Sequence, residues 1–360
     1  MSIGRVNIST VNKDDYQDLI VFLSTFESET RDKEFWESKL LFWWEKNPAF
    51  SEDIDRGWIL KDLDKNLIVG FIANIPTFFI LQGKKIIVNN GSTYRVKKEY
   101  RMHSISLYLR WVNYSDQTIH FATTPNQNVI KMLKLMKFDK FPNTVEFMNF
   151  IPVNLYNLFK YKYNHYKILN DVIRLFKYFP YYIYVTFYKS IFSSSLKVEI
   201  ITNIDENFDE LWFRTKKRYL NTNFRDSKYV KWYCNEFADN NKIMFGCFKD
   251  NILKVYALFQ VNKGNHIKSL NCLDIWGDEV NIKTLKLIMY KVLIFSKNNN
   301  IDTIEFSYIN AELDRYCRKI GFLKRRYTKE RFFKLKGKSV AKTNFNENTY
   351  LPFAQGDIGM

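Results

Sequence analysis

The chain has 360 residues and four cysteines, and 46% of its residues are apolar. This apolar fraction excludes a largely disordered chain, and the absence of C-x-x-C pairs and of metal-ligand spacing among its four histidines predicts reduced thiols and no metal site. The formal net charge of +17 favours polyanions, including phosphorylated small molecules, but the basic residues are spread along the chain, so we do not expect a nucleic-acid partner.

The apolar patterning predicts an α/β chain in which one order of elements occurs twice. In the first half we expect strands at 5–9, 57–63, 67–75, 78–81, 85–96, 118–122 and 144–150, and helices at 16–26, 35–44, 104–113 and from a cap at Thr124. After a helix at 166–178, we expect strands at 197–202, 243–248, 253–261, 268–275, 303–308 and 331–336, and helices at 208–219, 228–238, 282–297 and before the last strand.

Matched signals indicate that the two halves are duplicates of one domain. The turn residues Asn66 and Asn251 each lie between apolar runs, and 52 positions later each half has a Thr-Ile-x-Phe strand that starts at Thr118 or Thr303. An apolar helical quartet and then an aromatic residue follow in both halves. Local repeats have much shorter periods, so the series is better explained by duplication of a whole domain.

We therefore predict domains at residues 1–150 and 191–340, joined by a connector at 151–190 and followed by a loop-like tail at 341–360. The apolar stretch at 178–188 of the connector is too short to span a bilayer, but it could make a peripheral contact with a membrane surface. No signal peptide is visible, so we expect a cytoplasmic protein.

The junction between the long strand at 85–96 and the next helix is a candidate binding site. A helix N-terminus has unpaired N–H groups and a partial positive charge, so it can hold a pyrophosphate. Ser104 and Ser106 are small enough to let phosphates approach. The alternative interpretation is a solvated basic turn that caps an ordinary helix. The basic residues of this segment are Arg95, Lys97, Lys98, Arg101 and His103.

The segment Val96-x-x-x-Tyr-Arg101-x-x-Ser104-x-Ser106 resembles the signature of the GNAT acyltransferases, a valine on the fourth strand followed by Arg/Gln-x-x-Gly-x-Gly/Ala at a helix start. The later Asn126 is similar to the asparagine of the family's second motif. Because both halves share the likeness, the chain resembles the tandem-GNAT group. This implies an α/β fold with two GNAT-like domains in tandem, each a mixed, mostly antiparallel sheet flanked by helices.

The resemblance implies an acyl-CoA-dependent N-acyltransferase without a metal, whose acceptor is the amino group of a nucleotide-linked amino sugar in surface-polysaccharide biosynthesis. The implied acceptor-binding residues are Asn90, Ser92 and Trp276. Carried over residue by residue, the implied cofactor site has Tyr94, Arg95 and Val96 at the thioester, Arg101, Met102, His103, Ser104, Ile105 and Ser106 at the pyrophosphate, and Asn126 and Asn128 beside the pantetheine arm.

The sequence departs from the family pattern differently in the two halves. Ser104, Ser106 and Lys137 stand where the family prefers glycine, which leaves the phosphate donors in place. After the equivalent strand of the second half, Asp278 and Glu279 would repel a pyrophosphate. We therefore expect the first copy to bind acyl-CoA and the second to shape the acceptor pocket.

Attack by an amine requires a proton acceptor, and three residues are candidates. His120 lies on a strand beside the expected thioester site, Asp274 lies in an apolar strand of the second half, and Asp357 lies in the tail within a Gln-Gly-Asp sequence similar to that of polysaccharide-associated relatives. The alternative for His120 is a packed ring at the end of a strand. The alternative for Asp274 is a buried hydrogen bond to the backbone, and that for Asp357 is an unstructured terminus.

Two other functions stay open at this point. An aminoacyl-tRNA-dependent peptidyl transferase would also have two GNAT-like halves, and the net charge of +17 suits it. A non-catalytic binding module, in which the aromatic connector docks on a membrane or a partner, is the third hypothesis.

Overall fold

The computed structural model describes residues 5–27, 29–114, 119–141, 147–162, 167–189, 195–235, 241–264, 266–307, 310–326, 330–335, 348–352 and 354. The helices are α1 Tyr16–Ser24, α2 Lys33–Leu40, α3 Ser104–Asn113, α4 Gln127–Leu135, α5 Leu155–Lys162, α6 Lys167–Leu175, α7 Phe179–Lys189, α8 Glu206–Thr215, α9 Ser227–Asn235, α10 Ile282–Asn298 and α11 Ala311–Lys319. The strands are β1 Val6–Thr10, β2 Gly57–Asp62, β3 Leu67–Leu81, β4 Lys84–Val96, β5 Ile119–Ala122, β6 Asp139–Lys140, β7 Phe147–Pro152, β8 Leu196–Ile201, β9 Asn221–Asn223, β10 Lys242–Lys249, β11 Ile252–Lys263, β12 Lys268–Gly277, β13 Thr303–Phe306, β14 Leu323–Arg326, β15 Phe332–Leu335 and β16 Thr349–Tyr350.

The strands form two sheets that are mostly antiparallel. The first has the order β1-β2-β3-β4-β5-β15-β6, with β9 beside β3 and β16 beside β9; the second has the order β14-β7-β13-β12-β11-β10-β8. The parallel pairs are β4 with β5, β12 with β13, and β9 with β16. Helices flank both sheets, so the predicted mixed α/β fold class is confirmed.

The hairpin turn that is repeated in the sequence has the same backbone conformation in both halves. Asn66, between β2 and β3, has a φ of 52°, and Asn251, between β10 and β11, has a φ of 63°. Asparagine tolerates this left-handed conformation better than most residues, which explains why it stands at both turns.

The two sheets exchange strands, which corrects the sequence-based order. The strand expected at 144–150 in the first half is β7, and it lies between β13 and β14 in the second sheet. The strand expected at 331–336 in the second half is β15, and it lies between β5 and β6 in the first sheet. Each exchanged strand pairs with the open edge of a short parallel strand, whose buried backbone groups need partners. Apolar patterning predicts a strand but not its neighbour.

Three local expectations also need correction. β3 is one continuous strand through Pro76, because a proline removes only one donor from a long strand that is buried along most of its length. The connector contains three helices, α5 to α7, where one was expected at 166–178. The tail contains β16, because Thr349 and Tyr350 pair with β9. No described helix has both the length and the low charge that a bilayer span needs.

One hydrophobic core joins the two halves. It contains the aromatic residues of α1 and α2 from the first half together with α8, α9 and β12 from the second. At its centre the rings of Phe42 and Trp232 stack with centroids 4.9 Å apart, and Trp232 Nε1 donates to the Phe42 carbonyl at 3.0 Å. The relative position of the halves is therefore set by buried aromatic packing.

An ion-pair cluster fixes the segment after α1 to the first sheet. The Glu29 carboxylate accepts from Arg31 Nε at 2.7 Å and from Arg95 Nη2 at 2.5 Å, and its side chain is 2% exposed. Burial by itself would raise the pKa of Glu29, but the hydrogen bonds from Arg31 and Arg95 outweigh it and lower the pKa to about 2.

We expect Glu29→Gln to lower the free energy of unfolding at neutral pH, because it weakens the bonds to both arginines. The pKa of Glu29 falls on folding from 4.5 to about 2, so its stabilising effect is complete above about pH 5 and is lost as the pH falls toward 2. The difference between variant and wild type should shrink over that range in urea unfolding. Glu34→Gln, exposed on α2, is the control, and a pH-independent difference would contradict the assignment.

Candidate functional site

A β-bulge opens the first sheet between β4 and β5. In the pairing of β4 with β3, Ser92 lies opposite Ala73 but Arg95 lies opposite Phe71, so β4 carries one extra residue here. Within the bulge Thr93 has a φ of 50°. The described pairing of β4 with β5 ends at Asn90, opposite Phe121. Beyond this point the two strands diverge, and the backbone of β4 after the bulge faces the gap.

The gap is a cavity of about 200 Å³ between β4, β5, helix α3 and the start of α4. Backbone and small or aromatic side chains form its walls. The lining residues are Ile72, Gly91, Ser92, Thr93, Tyr94, Tyr108, Ala122, Thr124, Pro125, Asn126 and Val129. Of the residues predicted from the sequence, Ser92, Tyr94 and Asn126 therefore meet at one site.

Helix α3 begins beside this cavity, after a 3-10 turn at Lys98–His103. The Ser104 amide donates to the Arg101 carbonyl, and Ser104 Oγ lies 2.5 Å from the same oxygen. Tyr94 Oη donates to the Ser104 carbonyl at 2.7 Å. Burial raises the pKa of Tyr94, so its hydroxyl keeps this proton at neutral pH. The helix start is thus fixed against the bulge.

The side chains around the start of α3 present positive charge to solvent. Arg101 and Lys98 are exposed, and Lys97 and His103 are half-buried. Met102 and Ile105 are also exposed, at 70% and 55%, so their contribution to a binding site would come from the backbone. Val96 and Ser106 complete the segment, the first buried in β4 and the second exposed on α3.

A buried tyrosine anchors this basic segment to the β2–β3 hairpin. Tyr100 Oη donates to the Asp62 carboxylate, and Lys65 Nζ lies 3.0 Å from Tyr100 Oη. The hydrogen bond from Tyr100 is the main cause that lowers the pKa of Asp62. Tyr100 therefore holds the segment before α3 in position against the hairpin.

Arg95 lies on the other face of the sheet from the cavity. Tyr94 and Val96 face α3, whereas the Arg95 guanidinium contacts Glu29 and stands 5.0 Å from the Trp36 ring centroid. Successive side chains of a strand point to opposite faces, so the arginine cannot follow its neighbours. The Arg95 side chain therefore does not reach the cavity.

Helix α4 begins two residues later than expected. Its cap is Asn126, whose Oδ1 accepts from the amides of Asn128 and Val129 at 3.1 and 3.0 Å, and not Thr124. Asn126 caps the helix because its side chain reaches two N–H groups of the first turn. Asn128 is exposed in that turn. At the other end Lys137 has a φ of 58°, a left-handed conformation that glycine adopts more easily than lysine.

Asn90 and Ser92, the predicted acceptor-side residues, lie at the start of the gap on β4. Asn90 Nδ2 donates to the Ile75 carbonyl at 3.0 Å and to Thr77 Oγ1 at 2.8 Å. Its Oδ1 is buried, and no described residue donates to it. Asn90 is 1% exposed and, unlike Ser92, is not among the residues that line the cavity.

The other predicted chemical residues are packed into the structure. The buried His120 ring stands edge-on to Trp111, with centroids 4.9 Å apart, and the cavity-lining residues do not include it. Trp276 donates from Nε1 to Thr215 Oγ1 at 2.7 Å and is buried in the second half. Asp357 lies outside the described residues.

Asp274 is held in a buried ion pair. Its carboxylate receives Arg225 Nε at 2.7 Å, Arg225 Nη2 at 3.3 Å and Tyr256 Oη at 2.8 Å. Arg225 and Asp274 are 2% and 3% exposed, and the guanidinium also stacks 3.9 Å from the Trp276 centroid. A carboxylate with these partners has its proton-accepting oxygens occupied. Sequence reasoning missed Arg225, because nothing in its local pattern distinguishes it from a surface arginine.

The second sheet repeats the bulge but fills the gap with protein. Leu258 lies opposite Asp274 and Phe259 opposite Cys272, so β12 also carries an extra residue, and its pairing with β13 ends at Cys272. The corresponding cavity has only about 10 Å³. Tyr219, Trp276 and Tyr350 fill it with stacked rings, and Tyr350 Oη bonds to both backbone groups of Ile275.

No family model matches the chain, and no curated protein matches it. Solved structures do match over nearly its whole length. It is similar to Saccharomyces cerevisiae N-myristoyltransferase with bound myristoyl-CoA, with a TM-score of 0.58 and 14% identity over 98% of this chain and 86% of the other. It is similar to a GCN5-related N-acetyltransferase from Anabaena variabilis, with a TM-score of 0.57 and 12% identity over 92% and 73%. It is also similar to a probable N-acyltransferase from Enterococcus faecalis, with a TM-score of 0.55 and 6% identity over 92% of this chain and 73% of the other.

At identities of 14% or less these matches establish the fold alone. They confirm the expectation of a GNAT-like architecture for this chain. The protein therefore has the two-sheet fold shared by N-myristoyltransferase and GCN5-related acetyltransferases.

Proposed function

We propose that this protein is an acyl-CoA-dependent N-acyltransferase whose coenzyme site is the gap between β4 and β5. One observation carries the proposal: the same bulge occurs in both sheets, but only the first opens into a cavity, of about 200 Å³ against about 10 Å³ in the second. In the open copy the segment before the next helix is basic and includes Arg101, whereas in the closed copy Asp278 and Glu279 precede α10. Structural neighbours with this fold include one solved with myristoyl-CoA.

The residues around the cavity suggest how the coenzyme lies. The pyrophosphate meets the start of α3 and Arg101, where the helix dipole and the guanidinium both favour an anion. The pantetheine arm passes Asn126 and Asn128, and the thioester lies at the bulge. There the backbone N–H groups of Tyr94 and Val96 are proposed to face the gap, because the Lys97 amide bonds to Val69 in β3 and alternate amides of a strand point to opposite edges. They stabilise the negative charge that develops on the carbonyl oxygen.

The transfer is direct. The acceptor's neutral amine attacks the thioester carbon, the C–N bond forms, the C–S bond breaks, and the coenzyme A thiolate leaves. The nitrogen then releases one proton to a base, and the thiolate takes up a proton.

We propose Asp357 as that base, because the two alternatives are engaged in packing and ion pairing. The described part of the tail lies between the sheets: Leu351 packs against the cluster that contains Phe121, and the Ala354 amide donates to the Leu273 carbonyl at 3.0 Å. Asp357 follows three residues later, within about 10 Å of extended chain.

The proposed acceptor is the amino group of a nucleotide-linked amino sugar. Its support is the resemblance of the motifs to tandem-GNAT enzymes and the net charge of +17, which favours a substrate carrying a diphosphate. An amino group on a peptide is the competing acceptor class, since a neighbour of the same fold is an N-myristoyltransferase.

Coenzyme A should bind to the first half, and Arg101→Glu should weaken it at least about tenfold, because the change replaces attraction to the pyrophosphate by repulsion. Isothermal titration with coenzyme A and with acetyl-CoA measures the affinity of the wild type and of the variant. The control is Lys231→Glu, an equal charge reversal at an exposed position of α9. Absence of binding at millimolar ligand, or equal weakening by both variants, would count against the site.

UDP- and dTDP-linked amino sugars should be acylated from acetyl-CoA. The free thiol that this releases is measured with a colorimetric reagent. The hydroxyl analogues of the same sugars are the controls and should give no thiol. Turnover of a peptide with an N-terminal glycine, without turnover of any amino sugar, would assign the protein to the peptide class while leaving the coenzyme site intact.

Asp357→Asn should lower kcat by about a hundredfold, the usual effect of losing a general base, and leave the KM for acyl-CoA unchanged. Asp250→Asn, in the exposed turn before β11, is the matched control and should keep full activity. A kcat that stays within a factor of two of wild type after Asp357→Asn would exclude this residue as the base.

A further inference from the structure

An apolar face on the connector is exposed and is not used by the proposed acyltransfer site. On α6, the following turn and α7, six apolar or aromatic side chains recur at helical spacing and are each 48% to 83% exposed. Three of them are spaced i, i+3, i+4 at the end of α6 and in the turn, and three are spaced i, i+3, i+4 on α7, so the stripe consists of one exposed face on each of two successive helices. They are Val172, Leu175, Phe176, Phe179, Tyr182 and Ile183.

The opposite side of α7 is firmly attached to the protein. Tyr181 and Tyr188 are buried, and α7 packs along α10. Tyr188 Oη donates to the Ile320 carbonyl at 2.8 Å, and Tyr184 Oη donates to the Gly321 carbonyl at 2.6 Å. The α7 part of the stripe is therefore the outer face of a helix whose inner face packs on the core.

Positive charge surrounds the stripe. Residues 171–189 and α10 together contain seven basic side chains and one acidic side chain, Asp171. Lys297 Nζ lies 3.2 Å from Tyr182 Oη, and Lys286 Nζ stands 4.0 Å from the Phe187 ring centroid. Basic side chains thus border the aromatic ones directly.

We propose that this connector face, the stripe of α6 and α7 with its basic border, docks on an anionic lipid bilayer. Aromatic and aliphatic side chains on one helix face insert between lipid headgroups, while lysine and arginine at the border pair with the anionic lipids. Two such faces from copies of this chain would bring seven basic side chains against seven, so the charge disfavours self-association.

Vesicle co-sedimentation of the full chain tests this. Wild-type protein should pellet with vesicles in which about a third of the lipid is phosphatidylserine, and binding to pure phosphatidylcholine should be about tenfold weaker. Raising the salt concentration should weaken binding to the phosphatidylserine vesicles. The double variant Phe179→Ser with Ile183→Ser should bind phosphatidylserine vesicles about tenfold less well. Phe213→Ser, 72% exposed on α8, is the matched control and should bind as wild type.

A second double variant tests the contribution of the basic side chains to vesicle binding. Arg174→Glu with Lys189→Glu changes only exposed positions, so the fold and coenzyme binding should be retained while vesicle binding falls about tenfold. Equal binding to both vesicle types, no binding to either, or unchanged binding by both double variants would overturn the proposal. A wild-type dimer that the Phe179→Ser, Ile183→Ser variant converts to monomer would overturn it in favour of a second copy as the occupant.

Discussion

The extra residue in β4 is the constraint on which the proposed site depends. A regular strand would have continued beside β5 and closed the sheet. With Thr93 in a left-handed conformation, the strand turns away after Asn90 and a row of backbone groups is left without a neighbouring strand. Such a bulge is stable only if its surroundings hold it, and here the Tyr94 hydroxyl ties it to the first residue of α3.

The duplicated fold shows how the same opening can be either kept or closed. Both sheets have the bulge, but in the second half the tail returns and Tyr350 stacks with Tyr219 and Trp276. The ion pair of Arg225 with Asp274 lies beneath these rings and pairs two charges that would otherwise be buried alone. Residues from three distant segments therefore close the second copy.

The sequence predicts local features of this protein better than long-range ones. The paired turns at Asn66 and Asn251 and the repeated order of strands follow from residue types and periodicity, because these depend on neighbouring residues. The exchange of β7 and β15 does not follow, since apolar alternation is the same whichever strand lies alongside. The face of the sheet on which the Arg95 side chain lies depends on the bulge, and the alternation of apolar and polar residues along β4 does not reveal the bulge.

The exchanged strands also constrain how the protein is made. β5 contributes one wall of the cavity, and its far edge is covered by β15, which ends at Leu335. A ribosome must therefore synthesise more than nine-tenths of the 360 residues before the first sheet can close. The N-terminal half cannot complete its sheet before β15 has been synthesised, so both halves reach their final state together.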